Sequence, residues 1–234
     1  MTCIIGATCI EGAVIISDTR ILRGYQSSNE SKFHFVFDKK VVVAGAGATA
    51  TVDYLEDDLK QYEQSTVGES NEVIKKIEDS LTNVKTRYFA RMGTDFEIDA
   101  IVGGIDCFET GNPYLRVVYA NAVSEKIRNF HIIGHGAPYA TTLFSLMYDY
   151  KLTINELAIL GFFTISALER LGIDQSVGNN DNGPEIVVIK PNEKPERYDT
   201  TGDEFIHTRD WTANLEFKEK LIESIWKTRP TIFK

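Results

Sequence analysis

Residues 2–10 and 13–20 are apolar at odd and even positions alike, with Glu11 and Gly12 between them. A strand with one wet face alternates apolar and polar side chains, so two runs without alternation read as strands covered on both faces. Further strand-like runs fall at 32–44, 97–105, 114–120, 129–133 and 185–190. A different period appears between them. Val73, Ile74, Ile77, Leu81, Val84 and Tyr88 form one stripe with charged residues around it, the mark of a helix packed by one face. Helices are also expected over 49–64 and 137–150, and a third begins at Thr153, where Glu156 three positions on completes a capping box.

The first two strands make a testable hairpin. If Ile10-Glu11-Gly12 is a three-residue loop with Gly12 left-handed, Cys9 pairs with Ala13, Ile4 with Asp18 and Thr2 with Arg20. Thr2, Asp18 and Arg20 then share a face, because side chains alternate along a strand. A two-residue Glu11-Gly12 turn would send Asp18 to the opposite face.

The 234 residues suffice for one domain with a substantial core. Residues 1–190 carry the strand and helix pattern. After the turn-forming Pro191-Asn192-Glu193-Lys194-Pro195 the composition becomes polar, and a helix is expected at 211–226 in a C-terminal extension over 191–234 packed on the same domain. A formal charge of −9 argues against a nucleic-acid partner, since phosphate binding calls for clustered Lys and Arg. Cys3 and Cys9 sit on one strand, about 20 Å apart and beyond disulfide reach. With Cys107 they fit a reduced, cytoplasmic protein. His34, His131, His135 and His207 are scattered, so no metal site or cofactor is expected. No run of about eighteen apolar residues suggests a membrane span, and the apolar start lacks the basic leader of a secretion signal.

The candidate chemistry lies at Thr2. Methionine before a small residue is normally removed, which would leave a threonine carrying a hydroxyl and a free α-amine. That amine titrates near ~7.7–8 and can take the hydroxyl proton at neutral pH, where a lysine would stay charged. Thr2-Cys3-Ile4-Ile5-Gly6-Ala7 is followed by a strand ending in Asp18-Thr19-Arg20, then Lys32, then Ala44-Gly45-Ala46-Gly47. This order resembles the β-type subunits of the 20S proteasome and related threonine peptidases of the N-terminal-nucleophile hydrolase superfamily. The resemblance continues through Gly134-His135-Gly136-Ala137-Pro138, Asp174 and the strand from Glu185, covering residues 2–190. Lys32 comes two residues earlier than in those relatives, so the 21–31 loop is expected to be shortened.

The resemblance implies an α+β fold, a four-layer αββα sandwich. It implies Thr2 as nucleophile with Asp18 and Lys32 completing its triad, Gly45 as the oxyanion amide, and Asp174 as a further catalytic-site residue. Arg20 and Val43 are expected to line the first specificity pocket. Relatives carry serines near the terminal amine where this chain has His135 and Val177, which leaves His135 and Ser176 as candidates for orienting the amine. Lysine charge beside Thr2 would favour the alkoxide as it forms. The implied activity is cleavage of peptide or amide bonds in a peptide or protein substrate, within a homo-oligomeric ring or related assembly that could include proteasome-like partner subunits. Two alternatives stand beside it: a structural subunit without chemistry, and an amidohydrolase or transpeptidase dedicated to one substrate.

Overall fold

The computed structural model describes residues 2–23, 26–66, 69–92, 98–106, 111–170, 177–179 and 183–200. The expected helix at 211–226 lies outside them, as do Cys107, Asp174 and Ser176.

Two antiparallel five-stranded sheets face each other. The first is built from β1 (Ile4–Cys9), β2 (Gly12–Ser17), β10 (Phe130–Ile133), β11 (Glu185–Ile189) and β12 (Glu196–Arg197), in the order β10-β1-β2-β11-β12. The second runs β5-β6-β7-β8-β9, from β5 (Phe33–Val36), β6 (Val41–Gly47), β7 (Ile98–Ile105), β8 (Pro113–Val118) and β9 (Ser124–Lys126). A separate hairpin joins β3 (Arg20–Arg23) to β4 (Gln26–Asn29). Helices α1 (Thr49–Leu59) and α2 (Ser70–Met92) cover one outer face; α3 (Ala137–Ser145) and α4 (Ile154–Arg170) cover the other.

Three apolar layers explain why the strands lack alternation. Ile5, Val14, Ile16 and Val188 point outward to Phe144, Leu157, Phe162 and Ile165 of α3 and α4. Their neighbours Ile4, Ile15, Val187 and Ile189 point inward and meet Val42, Ala44, Ile101 and Val117 of the second sheet. That sheet's other face, with Val41, Val43, Ala100 and Val102, packs on Leu55, Leu59, Ile77 and Leu81 of α1 and α2. The result is the four-layer αββα sandwich. Each central strand buries both faces, so both must be apolar.

Val73, Ile74, Ile77, Leu81 and Val84 form the buried stripe of α2 as expected. The Thr153 box is present as well. The Thr153 N–H and hydroxyl both donate to Glu156 Oε2 at 2.8 Å, the Glu156 N–H donates back to Thr153 Oγ1 at 3.3 Å, and Glu11 accepts the Ile154 N–H at 2.9 Å. The run at 32–44 is instead two strands, broken where Phe37, Asp38 and Lys39 take φ of 53°, 53° and 61°. The 21–31 segment is the β3–β4 hairpin, and after Lys190 the chain turns back so that Val187 pairs with Arg197.

The first hairpin departs from the expected register. Cys9 pairs with Gly12 and Ile4 with Ser17, so the loop is the two residues Ile10-Glu11, one shorter than expected. Gly12 belongs to the strand. A Cβ there would stand 2.4 Å from the Ile189 carbonyl oxygen, so the glycine admits the close approach of β11 and is not spent on the turn.

Candidate active site

Continued two steps past Ile4 and Ser17, this register would oppose Cys3 to Asp18 and Thr2 to Thr19, and turn the Asp18 side chain toward the α3–α4 face, away from Thr2. The ladder reaches Asp18, whose N–H donates to the Cys3 carbonyl at 3.2 Å, and breaks there. Beyond Ser17 the Thr19 and Arg20 N–H groups donate to the Gly178 carbonyl at 3.0 and 2.8 Å, and the chain leaves the first sheet for the β3–β4 hairpin. Released from alternation, Asp18 turns to Thr2. Its Oδ1 accepts from the Thr2 hydroxyl at 2.7 Å, the Cys3 N–H at 2.8 Å and Lys32 Nζ at 2.7 Å. Gly178 N–H approaches its Oδ2 at 3.4 Å. Lys32 Nζ also donates to Thr2 Oγ1.

Thr2, Asp18 and Lys32 are 4, 0 and 5 % exposed, so the carboxylate–ammonium pair is shielded from water. Burial pushes the Lys32 ammonium below the usual lysine range, and Asp18 opposes that shift. Lys32 reaches the site because it immediately precedes β5, whose pairing with β6 ends at Phe33 and Ala44. The Glu30 N–H donates to the Thr19 carbonyl at 2.9 Å, which closes the base of the β3–β4 hairpin and brings Lys32 back beside Asp18.

The Thr2 backbone is gripped from the far side. Gly136 N–H donates to the Thr2 carbonyl at 3.2 Å, and Gly134, at φ 94°, lies so near that a Cβ would be 2.2 Å from that oxygen. Val177 is buried with its side chain toward Gly136 and Cys3. Arg20 donates to the Val177 carbonyl at 3.3 Å and lies 3.6 Å from Glu169, whose carboxylate also accepts the Asn179 N–H and side-chain amide at 3.0 and 2.6 Å. Glu169 therefore pins the 177–179 segment that presents Gly178 to Asp18.

Two clefts meet at Thr2. The smaller, about 30 Å³, lies between β6, α1 and the start of the β3–β4 hairpin, with Arg20, Leu22, Gly45, Val52 and Asp53 on its walls. The larger, about 430 Å³, lies toward Gly134 and His135, with Ala48 and Asp99 opposite. Arg20 is on the wall of the smaller cleft, but Val43 is not. It is fully buried in the layer against α1 and α2, one same-face position deeper in β6 than the cleft reaches. Gly45 takes its place, since a Cβ on it would point at Val52 and Leu55. Gly47 borders both clefts.

Sequence reasoning did not single out Gly47, Asp53, Asp99, Glu169 or Gly178. Asp99 left a trace, being the polar residue inside an otherwise apolar strand. The Glu169–Asn179 contact left none. Among the described residues no cluster of His, Cys, Asp and Glu is arranged to hold a metal ion, and no helix is long and apolar enough to cross a membrane.

The sequence profile of the proteasome subunit matches residues 1–183. The chain belongs to the proteasome subunit family. Solved structures that share its fold include Anbu proteins. The Gly-1 mutant of Anbu from Hyphomicrobium sp. strain MC1 superposes with a TM-score of 0.75 at 16 % identity, covering 94 % of this chain and 97 % of that one. Anbu, described as an ancestral β-subunit, from Yersinia bercovieri gives 0.74 at 19 % identity, covering 95 % and 96 %. The helical assembly of the Anbu complex from Pseudomonas aeruginosa gives 0.75 at 17 % identity, covering 93 % and 95 %. No curated protein matches the sequence. At these identities the likeness is one of fold, and within this proteasome-family fold the Thr2–Asp18–Lys32 contacts come from the chain's own geometry.

Proposed function

We propose that this proteasome-family chain is a threonine-type peptidase or amidohydrolase whose nucleophile is Thr2 once Met1 has been removed. The observation that carries the reading is the buried contact of one threonine hydroxyl with both a lysine and an aspartate. In the proposed cycle the Thr2 α-amine takes the hydroxyl proton as Oγ1 attacks the substrate carbonyl carbon. The carbonyl π bond breaks to an oxyanion, which the backbone N–H of Gly47 or Gly45, on the cleft walls beside Thr2, is placed to receive. Collapse of this intermediate breaks the C–N bond, and the leaving amine takes the proton from the α-ammonium. Water, deprotonated by the same amine, then hydrolyses the threonine ester and restores the hydroxyl. Lys32 supplies positive charge at Oγ1 throughout, and Asp18 holds that charge in place.

In this proposal Asp174 is a further catalytic residue, and Ser176 and His135 are the candidates for orienting the terminal amine. Substrates are peptides or proteins. Assembly into a homo-oligomer draws support from the helical assembly seen for the Pseudomonas Anbu complex, and proteasome-like partner subunits remain part of the proposal.

A second reading, a structural subunit that keeps the fold without the chemistry, draws on Val177. This buried apolar side chain sits beside Gly136, where the related peptidases use hydrogen-bonding serines near the amine. Intact-mass analysis separates the two. The enzymatic reading expects loss of Met1 and a single adduct from a peptide epoxyketone or β-lactone, absent in Thr2→Ala. Retained Met1, or no adduct on a free Thr2, would establish the structural subunit. A panel of peptides and small amides then distinguishes a general peptidase from an enzyme dedicated to one substrate.

A further inference from the structure

We propose that the larger cleft is the leaving-group side of the site, and that Asp99 makes it select a positively charged residue immediately after the scissile bond. This rests on Thr2 being the nucleophile.

A hydroxyl that attacks an amide carbonyl must have the acyl half of the substrate on one side and the amine half on the other. Two clefts meet at Thr2 and Gly47, so each half has its own space. The smaller cleft is narrow and backed by Leu22 and Val52. It suits an acyl side chain that stays in place while the ester lasts. The larger one borders Gly134 and His135, part of the loop that grips the Thr2 backbone through the Gly136 N–H. The terminal amine belongs to that same backbone, and it must hand its proton to the departing nitrogen. The departing half therefore belongs in the larger cleft.

Asp99 defines what that space prefers. It lies opposite Ala46 near the end of β7, and its neighbours Ile98 and Ala100 point into the helix-facing layer. Alternation sends its own side chain the other way, to the open end of the space between the sheets. The Ala120 N–H donates to Asp99 Oδ1 at 3.0 Å and fixes the carboxylate. Among the described residues on the cleft wall, Asp99 is the acidic side chain and His135 the imidazole, and the wall carries no lysine or arginine. His131 and Glu125 lie close enough to act electrostatically on the same region, and burial holds the His131 imidazole below its usual range, so neutral. A guanidinium or ammonium entering the cleft meets the Asp99 carboxylate, which the Ala120 N–H holds on its wall.

The experiment uses the full-length protein and quenched peptides identical except for Arg, Ala or Glu after the cleaved bond, the cut being mapped by mass spectrometry. The expected result is a kcat/KM for Arg about three- to tenfold above Ala, with Glu below Ala, as for one partly solvated charge pair. Asp99→Asn keeps an oxygen for the Ala120 N–H and should erase the preference. The wild-type Arg/Ala ratio should also shrink between about 0.05 and 0.5 M salt, which gives the same answer without any substitution. A wild-type protein indifferent to this residue, or an Asp99→Asn protein that keeps the preference, overturns the inference. β-Lactone labelling of wild-type Thr2, which needs no leaving-group residue, tells the two failures apart. A labelled Thr2 without charge preference sinks this inference alone, and an unlabelled free Thr2 sinks the nucleophile reading with it.

Discussion

Replacing Lys32 by methionine removes the ammonium but keeps most of the side-chain volume, so the loss isolates the charge. Asp18, with no exposure, would then hold a buried negative charge without its counter-ion. Breaking a buried pair from one side typically costs about 3–5 kcal/mol. Asp18 keeps the Thr2 hydroxyl at 2.7 Å and the Cys3 N–H at 2.8 Å, which places the expected loss at the lower end, about 3 kcal/mol. For a chain of this length that is roughly 6–12 °C in Tm. The double variant Asp18→Asn/Lys32→Met has no charge left to strand. It should be more stable than Lys32→Met alone, with a coupling energy of about 2 kcal/mol in the double-mutant cycle. Urea unfolding followed by circular dichroism, at one fixed protomer concentration because assembly shifts apparent stability, gives all four corners. If Lys32→Met unfolds within about 0.5 kcal/mol of the parent, or the two substitutions simply add, the pair is not the closed ionic unit described here. Activity should drop about 10²–10³-fold in kcat, the usual consequence of losing one group that stabilises a developing oxyanion or alkoxide.

Burial lowers the Lys32 constant, so the folded protein releases this proton at a lower pH than the unfolded chain does. In the interval between the two values the unfolded state binds more protons. Stability conferred through this group therefore rises with pH while the catalytic charge is lost. The alkaline limb of kcat/KM should fall below the ordinary lysine range near ~10.4. Asp18→Asn, which removes the main opposing influence, should move that limb further down, and a shift upward would contradict the assignment. The glycines offer a steric contrast. Gly45→Ala places a methyl 3.6–3.9 Å from Leu55 and Val52, ordinary contact, so stability should change by less than about 0.5 kcal/mol while kcat/KM falls selectively for substrates with bulky acyl residues. Gly134→Ala would put its methyl 2.2 Å from the Thr2 carbonyl at a φ that disfavours side chains, so this variant should lose about 3 kcal/mol or more, and thermal melts of the two should differ accordingly.

The double covering of β1 and β2 was legible because burying both faces of a strand demands apolar residues at odd and even positions alike, whereas the four-layer arrangement came from the resemblance. The stripe of α2 and the Thr153 box were equally plain, since each is a local pattern with a local cause. Register was not. Gly12 looks like a turn residue, whereas its small size serves β11, a strand more than 170 residues away in sequence. The break between β5 and β6 was invisible for the reverse reason. Phe37, Asp38 and Lys39 adopt positive φ without a glycine or proline to announce it. Phe37 is held there by complete burial and by stacking on Tyr62 at 5.4 Å, both tertiary effects. Val43 shares its face of β6 with Gly45 and Gly47 but lies too deep to line the cleft, because alternation gives a side and says nothing about where along the strand the covering helix begins. Thr2, Asp18 and Lys32 were found through resemblance, not through periodicity.

That last distinction has a physical basis in how the site is put together. A nucleophile and its carboxylate on neighbouring strands would meet only if the hairpin register allowed it, and the register here, extended, forbids it. The conflict is resolved by breaking the ladder at the Cys3–Asp18 step and fastening the chain beyond it elsewhere. Gly178, separated from Asp18 by 160 residues, holds the exit of β2; Gly136 holds Thr2; the hairpin base holds Lys32. The Gly178 and Gly136 contacts do not exist until the sandwich has closed, since each spans a long segment that folding must first bring back. The Thr2 hydroxyl of an unfolded chain thus has an ordinary environment, and its contacts with Asp18 and Lys32 are a property of the tertiary fold. A substitution that loosens Gly178 or Glu169 should accordingly disturb Thr2 chemistry before it disturbs the core.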